Sequence, residues 1–189
     1  MTMPPNVKGP REEFTDWPEL IGESVLLRQR LHELDPDVNP YTLPRVGASA
    51  DEFDSAEVRT GLRLDAVHRQ LLIHANGWDD FFAFAHLLGT NELGSGEQWR
   101  RASQLLDVFY EAAPAPDGFP NQPSDVYCFC ADPDNVEDLF VVWKVGPVTG
   151  GGRPVSWLAG EEVQRFPNMH EFMLSVNEYL RRDLAKLTS

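Results

Sequence analysis

The sequence predicts an α+β domain with a mostly antiparallel sheet flanked by helices. Three observations support this fold class. Apolar residues recur at helical spacing within residues 16–112, strand-like segments follow one another between residues 125 and 159, and another helical pattern occupies residues 168–187. Strands that succeed one another along a chain, without alternating helices, pair mainly as antiparallel neighbours.

Four helices are expected before the strands, because each segment combines an apolar stripe with a start or stop signal. In the first helix Asp16 can act as the N-cap, and Pro18 lies in the first turn, where its missing N–H costs nothing. The third helix should end at Asn76-Gly77, since both residues tolerate the left-handed conformation past a helix end. The predicted helices are residues 16–34, 49–61, 65–75 and 95–112.

The strand predictions depend on alternating or continuous apolar residues between turn signals. Residues 81–88 read as one extended segment, and residues 162–167 could add another. An acidic turn, "ADPDNVED", and a glycine-rich turn, "GPVTGGG", separate the three main candidates. Those candidates are residues 125–130, 138–145 and 153–159.

The chain is expected to divide into three parts. Residues 1–15 should form a frayed N-terminal arm. Residues 16–48 comprise the first helix and a proline-rich connector, and residues 49–189 form the main α+β domain.

The charge balance restricts the classes of partner. Thirty acidic residues against sixteen basic ones give a formal net charge of −14. Such a surface repels nucleic acid and anionic membranes, and it accelerates encounter with a basic protein. The alternative is that the acidic residues serve solubility alone. No apolar run approaches the roughly 18–20 residues that span a bilayer, and the first residues lack the apolar core of a signal peptide, so we expect a cytoplasmic protein.

No motif of the sequence predicts a catalytic residue, a metal site or a cofactor. The glycine-rich turn lacks the Lys-Ser or Lys-Thr of a phosphate loop, and "DPDNVED" lacks the glycine of a calcium loop, although weak cation binding there stays open. The five histidines show no metal-ligand spacing. Cys128 and Cys130 alternate on one strand, too far apart for an easy disulfide, and are expected to be reduced.

The run "AEVRTGLRLDAVHRQLLIHANGW" resembles the signature of the SUKH superfamily, which includes the fungal Smi/Knr regulators. That signature is a helix, a Gly-Leu-x-Leu-Pro junction, a second apolar helix and an Asn-Gly turn. Asp65 stands where the family usually has proline, but an aspartate can cap the following helix. The resemblance extends over about residues 49–185. The matching positions are Gly61, Leu62, Leu64, Leu71, Leu72, Asn76, Gly77 and Trp78.

The resemblance implies a non-catalytic protein-binding module without a cofactor. Bacterial SUKH proteins resemble immunity proteins that bind and silence toxins, often nucleases, and the acidic surface here would occupy a basic substrate cleft. The oligomeric state is left open. Candidate contact acids are Asp79, Asp80, Asp132, Asp134, Glu137, Asp138, Glu161 and Glu162, and candidate aromatic anchors are Trp78, Trp143 and Trp157.

Each of these assignments has an alternative. The tryptophans can equally pack in the core, and the acids can form an ordinary solvated rim. For the whole protein, the alternative is a regulatory adaptor of the Smi/Knr type with several weaker partners. A third hypothesis is a hydrolase whose acid pairs, such as Asp79 and Asp80, act as acid and base.

Overall fold

The computed structural model describes residues 14–112, 115–133 and 138–189, and the part of the chain that it describes has the predicted α+β architecture. Residues 134–137 of the predicted acidic turn therefore lie outside the described residues, as does nearly all of the predicted arm. The helices are α1 (Trp17–Leu34), α2 (Ala50–Thr60), α3 (Ala66–His74), α4 (Gly96–Ala112) and α5 (Met169–Leu187), with a short 3-10 turn at Pro123–Asp125.

The six strands form one antiparallel meander in chain order, which is the simplest sheet topology for consecutive strands. The segment at residues 162–167 is a true strand and pairs at the edge of the sheet. The strands are β1 (Trp78–Phe82), β2 (Ala85–Leu87), β3 (Val126–Ala131), β4 (Leu139–Trp143), β5 (Val155–Leu158) and β6 (Glu162–Phe166).

Several helix ends have local causes in the neighbouring residues. Ser49 and Glu52 form a reciprocal capping box at α2, and Gly61 ends that helix in the left-handed conformation. Asp65, which replaces the usual proline, accepts hydrogen bonds from the N–H groups of Val67 and His68 and so caps α3. Asn168 caps α5 through the N–H of Glu171.

Both faces of the sheet are covered, so β3 and β4 are buried along their whole lengths. On one face, Phe172 of α5 contacts the rings of Phe129 and Phe140. On the other, Phe119 contacts both Trp143 of β4 and Phe109 of α4. The successive side chains of a strand point to opposite faces, and this alternation places α4 on the face opposite α5.

The first helix shares the core of the remaining domain. Buried Ser24 on α1 donates a 2.5 Å hydrogen bond to the Asn177 side chain on α5. Asn177 in turn donates to the carbonyl of Leu20. The connector after α1 then runs beside α3, where Ala48 N–H donates to the Leu72 carbonyl at 2.8 Å.

Three local predictions need correction. Asp16 precedes α1 but makes no side-chain cap bond, and its carboxylate lies 2.9 Å from His170 Nε2. Residues 81–88 are not one extended segment, because the chain reverses between β1 and β2. Finally, α3 ends at His74 without a left-handed residue at Asn76. The left-handed residue is Gly77.

Cys128 and Cys130 are free and buried on β3, as the sequence predicts. Burial raises the pKa of the Cys128 thiol to about 12 and that of Cys130 well above its ordinary value. At neutral pH both are therefore inert thiols rather than thiolates. No helix in the described part of the chain is both long and apolar enough to cross a membrane.

Candidate functional site

The turn between β1 and β2 has an unusual backbone. Phe82 pairs with Ala85, so only Ala83 and Phe84 form the loop, and both have positive φ values, 49° and 62°. Two-residue hairpin turns need this left-handed geometry and are usually built from asparagine and glycine. Asp80, three residues before Ala83, also has a positive φ, 48°. Three non-glycine residues in this conformation indicate local strain, which the surrounding structure must hold in place.

Arg28 of α1 holds this hairpin. Its side chain is only 7% exposed, and its two terminal nitrogens donate to the backbone carbonyls of Asp80 and Phe81. The connector contributes a third contact, from Thr42 Oγ1 to the carbonyl of Asp79 at 2.5 Å. In the described part of the chain β1 is an edge strand, and side chains thereby satisfy three successive carbonyls of it. The hairpin is thus fixed to α1 and to the connector.

A cleft of about 360 Å³ lies beside this hairpin. Its lining comes from α1, the connector, the hairpin, β5 and α5, so five separate segments meet there. The lining is mainly apolar and aromatic, and its charged groups are Arg28, Asp80 and Asp183. A concave apolar site with a few convergent polar groups is the usual form of a binding site. The aromatic lining residues are Phe82, Phe84, Trp157 and Tyr179.

Asp79 and Asp80 lie on the hairpin strand beside the cleft. The Asp79 side chain is 61% exposed and that of Asp80 is 34% exposed. His86 on β2 lies between them, with Nδ1 3.7 Å from Asp79 and Nε2 3.4 Å from Asp80. Arg45 lies 3.7 Å from Asp79 but makes its shorter contact, 2.7 Å, with Glu92. Both hairpin acids therefore have surface available to a partner.

The structure separates the three candidate tryptophans. Trp78 and Trp143 are buried in the core, where Trp78 Nε1–H donates to Thr42 and Trp143 Nε1–H donates to Ser156. Neither offers a surface to a partner, so neither belongs to a surface site. Trp157 is partly buried and lines the cleft.

The remaining candidate acids differ in burial and in hydrogen bonding. Asp138 accepts the Nε1–H of Trp157 at 2.5 Å and so positions a cleft residue, while the Asp132 N–H lies 3.4 Å from the Asp138 carbonyl. Glu162 is only 10% exposed and accepts from Ser156 and Arg165, so it is a structural group rather than a contact acid. Glu161 is exposed in the turn before β6. Asp134 and Glu137 lie outside the described residues.

Sequence reasoning missed most residues of the cleft, and those that matter most for its chemistry are Arg28, Phe84, Tyr179 and Asp183. Arg28 could not be distinguished from the other polar residues of α1, because only the fold shows that it faces the hairpin. No local signal marks Phe84 either, because Ala83-Phe84 carries none of the asparagine, aspartate or glycine residues that indicate a two-residue hairpin turn.

A buried group of titratable residues lies elsewhere, where α3 meets β3. His68 is fully buried, and its Nδ1 lies 3.0 Å from the hydroxyl of Tyr127. The same hydroxyl accepts the Asp65 N–H at 3.1 Å. Desolvation lowers the pKa of His68 to about 3 and raises that of Tyr127, so both are neutral at pH 7. This group joins α3 to the sheet and does not reach the cleft lining.

We expect the free energy of unfolding to fall by about 2 kcal/mol between pH 7 and pH 5 on account of His68 alone. Its pKa is about 3 in the fold against 6.5 ordinarily, so between these values the unfolded chain binds the proton and the folded chain does not. Stability is therefore lost as the pH falls below about 6.5. Urea unfolding of the wild type and of His68→Gln at both pH values measures this, and an equal fall in the two proteins would contradict it. Burial raises the pKa of Asp65, which acts in the opposite direction nearer its ordinary value of 3.8, so the comparison stops at pH 5.

Within the described residues, no group of three or more histidine, cysteine, aspartate or glutamate side chains is arranged to hold a metal ion. Among the described residues that line the cleft there is also no serine, threonine, cysteine or histidine. Comparison with models of known protein families found no matching family, and a search of curated proteins found no match.

Proposed function

We propose that this chain is a non-catalytic protein-binding module of the SUKH superfamily, an immunity protein that binds and neutralises a basic toxin domain in the cytoplasm. The toxin's activity would be blocked because acidic side chains occupy its basic cleft in place of substrate phosphates. A nuclease is the class of toxin that fits this mechanism best.

The observation that carries the proposal is the rigid acidic hairpin beside the aromatic cleft. Asp79 is exposed and Asp80 is about one-third exposed, on a strand whose carbonyls are held by Arg28 and Thr42. Phe84, at the tip, is 60% exposed. Interface hot spots are typically built from an aromatic side chain beside charged groups. A backbone that is already fixed adds to their affinity, because little conformational entropy is lost on binding.

The order of elements supports the family assignment. A left-handed Gly61 follows α2, a capped junction at Asp65 begins α3, and Gly77 lies in the turn before β1. The strands and the final helix then follow in the order that the resemblance implies. The net charge of −14 supports a basic partner.

The test is co-purification from the source organism's own cells, followed by association kinetics with the captured partner. We expect one dominant basic protein, with an association rate that falls steeply as salt is raised. In the double variant Asp79→Lys/Asp80→Asn the rate should fall about tenfold. Asparagine is chosen at position 80 because it tolerates the left-handed backbone there.

The matched control is Asp107→Lys/Glu111→Gln, which changes the net charge by the same amount. Both control residues are exposed on α4, which covers the opposite face of the sheet. The control should bind at the wild-type rate. Equal slowing in the two variants would mean that net charge alone matters, and would contradict a role for the hairpin. Capture of several weak partners would favour the regulatory adaptor.

A further inference from the structure

We propose that the cleft beside the β1–β2 hairpin receives one lysine or arginine side chain of the partner protein. This inference rests on the proposed function, which supplies the basic partner, and it adds where a basic side chain enters and what recognises it. Four features of the cleft support it: the aromatic walls, the acidic groups of the lining, the unpartnered donor of Arg28 and the strained turn at Phe84.

The aromatic walls of the cleft present an apolar surface to a bound side chain. Phe82 contacts both Trp157 and Tyr179, with ring centroids 5.7 and 5.4 Å apart. The polar atoms of the latter two bond to the protein: Trp157 donates to Asp138, and the Tyr179 hydroxyl donates to Gln164 at 2.8 Å. These hydrogen bonds hold the two rings in place and leave neither the indole N–H nor the hydroxyl without a partner. Such walls suit the methylene stem of lysine or arginine, and aromatic rings also attract a cation.

The charges of the lining favour a cation over an anion. Asp80 and Asp183 lie on two sides of the cleft, against Arg28 as its only basic group among the described lining residues. Asp183 is more than half exposed, although it also pairs with Lys186 at 2.7 Å. Arg28 is committed to the backbone carbonyls of Asp80 and Phe81, so its charge is already partly compensated. An incoming ammonium or guanidinium group can therefore pair with a carboxylate of the lining.

Arg28 also provides a second observation that points to a ligand. Its Nε–H is buried and has no hydrogen-bond partner, which is uncommon for a charged side chain. Because Arg28 lines the cleft, a small shift of its side chain would bring this buried donor within reach of a carbonyl oxygen of the entering residue. The backbone carbonyl of the entering residue supplies such an acceptor. A basic side chain with its own backbone carbonyl thus matches both the acids and the donor.

The strained turn is explained by the same occupant. Phe84 adopts a φ of 62°, where glycine or asparagine would cost less, and it places an exposed ring at the mouth of the cleft. A residue kept in a strained conformation with an exposed aromatic side chain indicates a function for that side chain. We assign the Phe84 ring to covering the stem of the bound lysine or arginine.

The test is a ¹H–¹⁵N NMR titration of the whole chain with the tripeptide Ac-Gly-Arg-Gly-NH₂. The matched probe is Ac-Gly-Gln-Gly-NH₂, which keeps the backbone carbonyls but lacks the charge. We expect the arginine peptide to bind with a dissociation constant of about 1–10 mM, as befits one isolated side chain. It should shift the Trp157 indole N–H signal and the amides of Ala83 and Phe84. The glutamine peptide should bind at least about tenfold more weakly.

Two variants locate the binding. Phe84→Gly removes the ring and the backbone strain together, so it should stay folded, and it should weaken the arginine peptide by about threefold or more. Asp80→Asn/Asp183→Asn should abolish the preference for arginine over glutamine. Asp107→Asn on α4 is the control and should leave the titration unchanged.

The outcomes separate this inference from the proposed function. The cleft site is supported if the NMR signals of cleft residues shift on addition of the arginine peptide and both variants weaken this effect. That holds even if co-purification finds no basic toxin domain. Equal binding of the two peptides would overturn the cleft site. So would chemical-shift changes that are the same in the wild type and in Phe84→Gly. A basic partner that still binds through Asp79 and Asp80 would in that case leave the immunity function standing.

Discussion

Replacement of Arg28 by methionine is expected to lower the free energy of unfolding by about 3 kcal/mol and to loosen the β1–β2 hairpin. Methionine keeps the apolar stem but removes the donors to the Asp80 and Phe81 carbonyls, as well as the cation 5.4 Å above the Trp78 ring. Desolvation lowers the pKa of Arg28 to about 10, a shift that Asp80 opposes, so the group is charged at neutral pH. Part of the loss is offset, because the cost of burying that charge disappears with it.

Urea unfolding followed by circular dichroism measures the Arg28→Met effect, and Arg30→Met is its control. Arg30 lies two residues along the same helix, but it is exposed, and its ion pair in the described part of the chain is with Glu33 at 2.8 Å. Its loss should cost less than about 1 kcal/mol, as for other surface ion pairs. If the two variants were equally stable, Arg28 would not hold the hairpin, and the basis for a rigid binding surface would be lost.

Replacement of Gly47 by alanine is expected to lower the free energy of unfolding by about 4 kcal/mol. A Cβ at this position would lie 1.8 Å from the carbonyl oxygen of Ile73, a backbone atom at the end of α3 that cannot rotate away. The connector would have to move off the helix, which would break the hydrogen bond from Ala48 to Leu72.

The control for this prediction is the same substitution at Gly22 in α1. A Cβ there meets no atom within 4 Å, so alanine should raise the free energy of unfolding by about 0.5–1 kcal/mol through its better helix propensity. Thermal unfolding of both variants gives the comparison. A melting temperature of Gly47→Ala at or above that of the wild type would show that the connector does not pack against α3 as described.

Much of the fold could be predicted from sequence, because local signals and global structure agree. The Ser49 and Glu52 capping box, the stop at Gly61 and the cap at Asn168 each depend on nearby residues alone. The hairpin turn at Ala83-Phe84 was missed because it contradicts local preference. Its left-handed backbone is maintained by Arg28, more than fifty residues earlier in the chain, and no local pattern carries that information.

The candidate site could be predicted only in part, for a related reason. Asp79, Asp80 and Trp157 could be proposed from charge and residue type, and the structure places Asp80 and Trp157 in the lining of one cleft, with Asp79 beside it. Trp78 and Trp143 were indistinguishable from Trp157 in the sequence, since burial depends on which strand face meets a helix. The partners Tyr179 and Asp183 lie a hundred residues from the hairpin, and only the packing of α5 brings them there.

The most direct test of the central claim, that the hairpin and its cleft bind a partner protein, is hydrogen–deuterium exchange of the chain alone and with the captured partner. We predict slower exchange in residues 79–86, around Val38 in the connector and at Trp157, with α4 unchanged. Protection confined to α4 or to the β6 edge, with the hairpin exchanging at its free rate, would contradict the account.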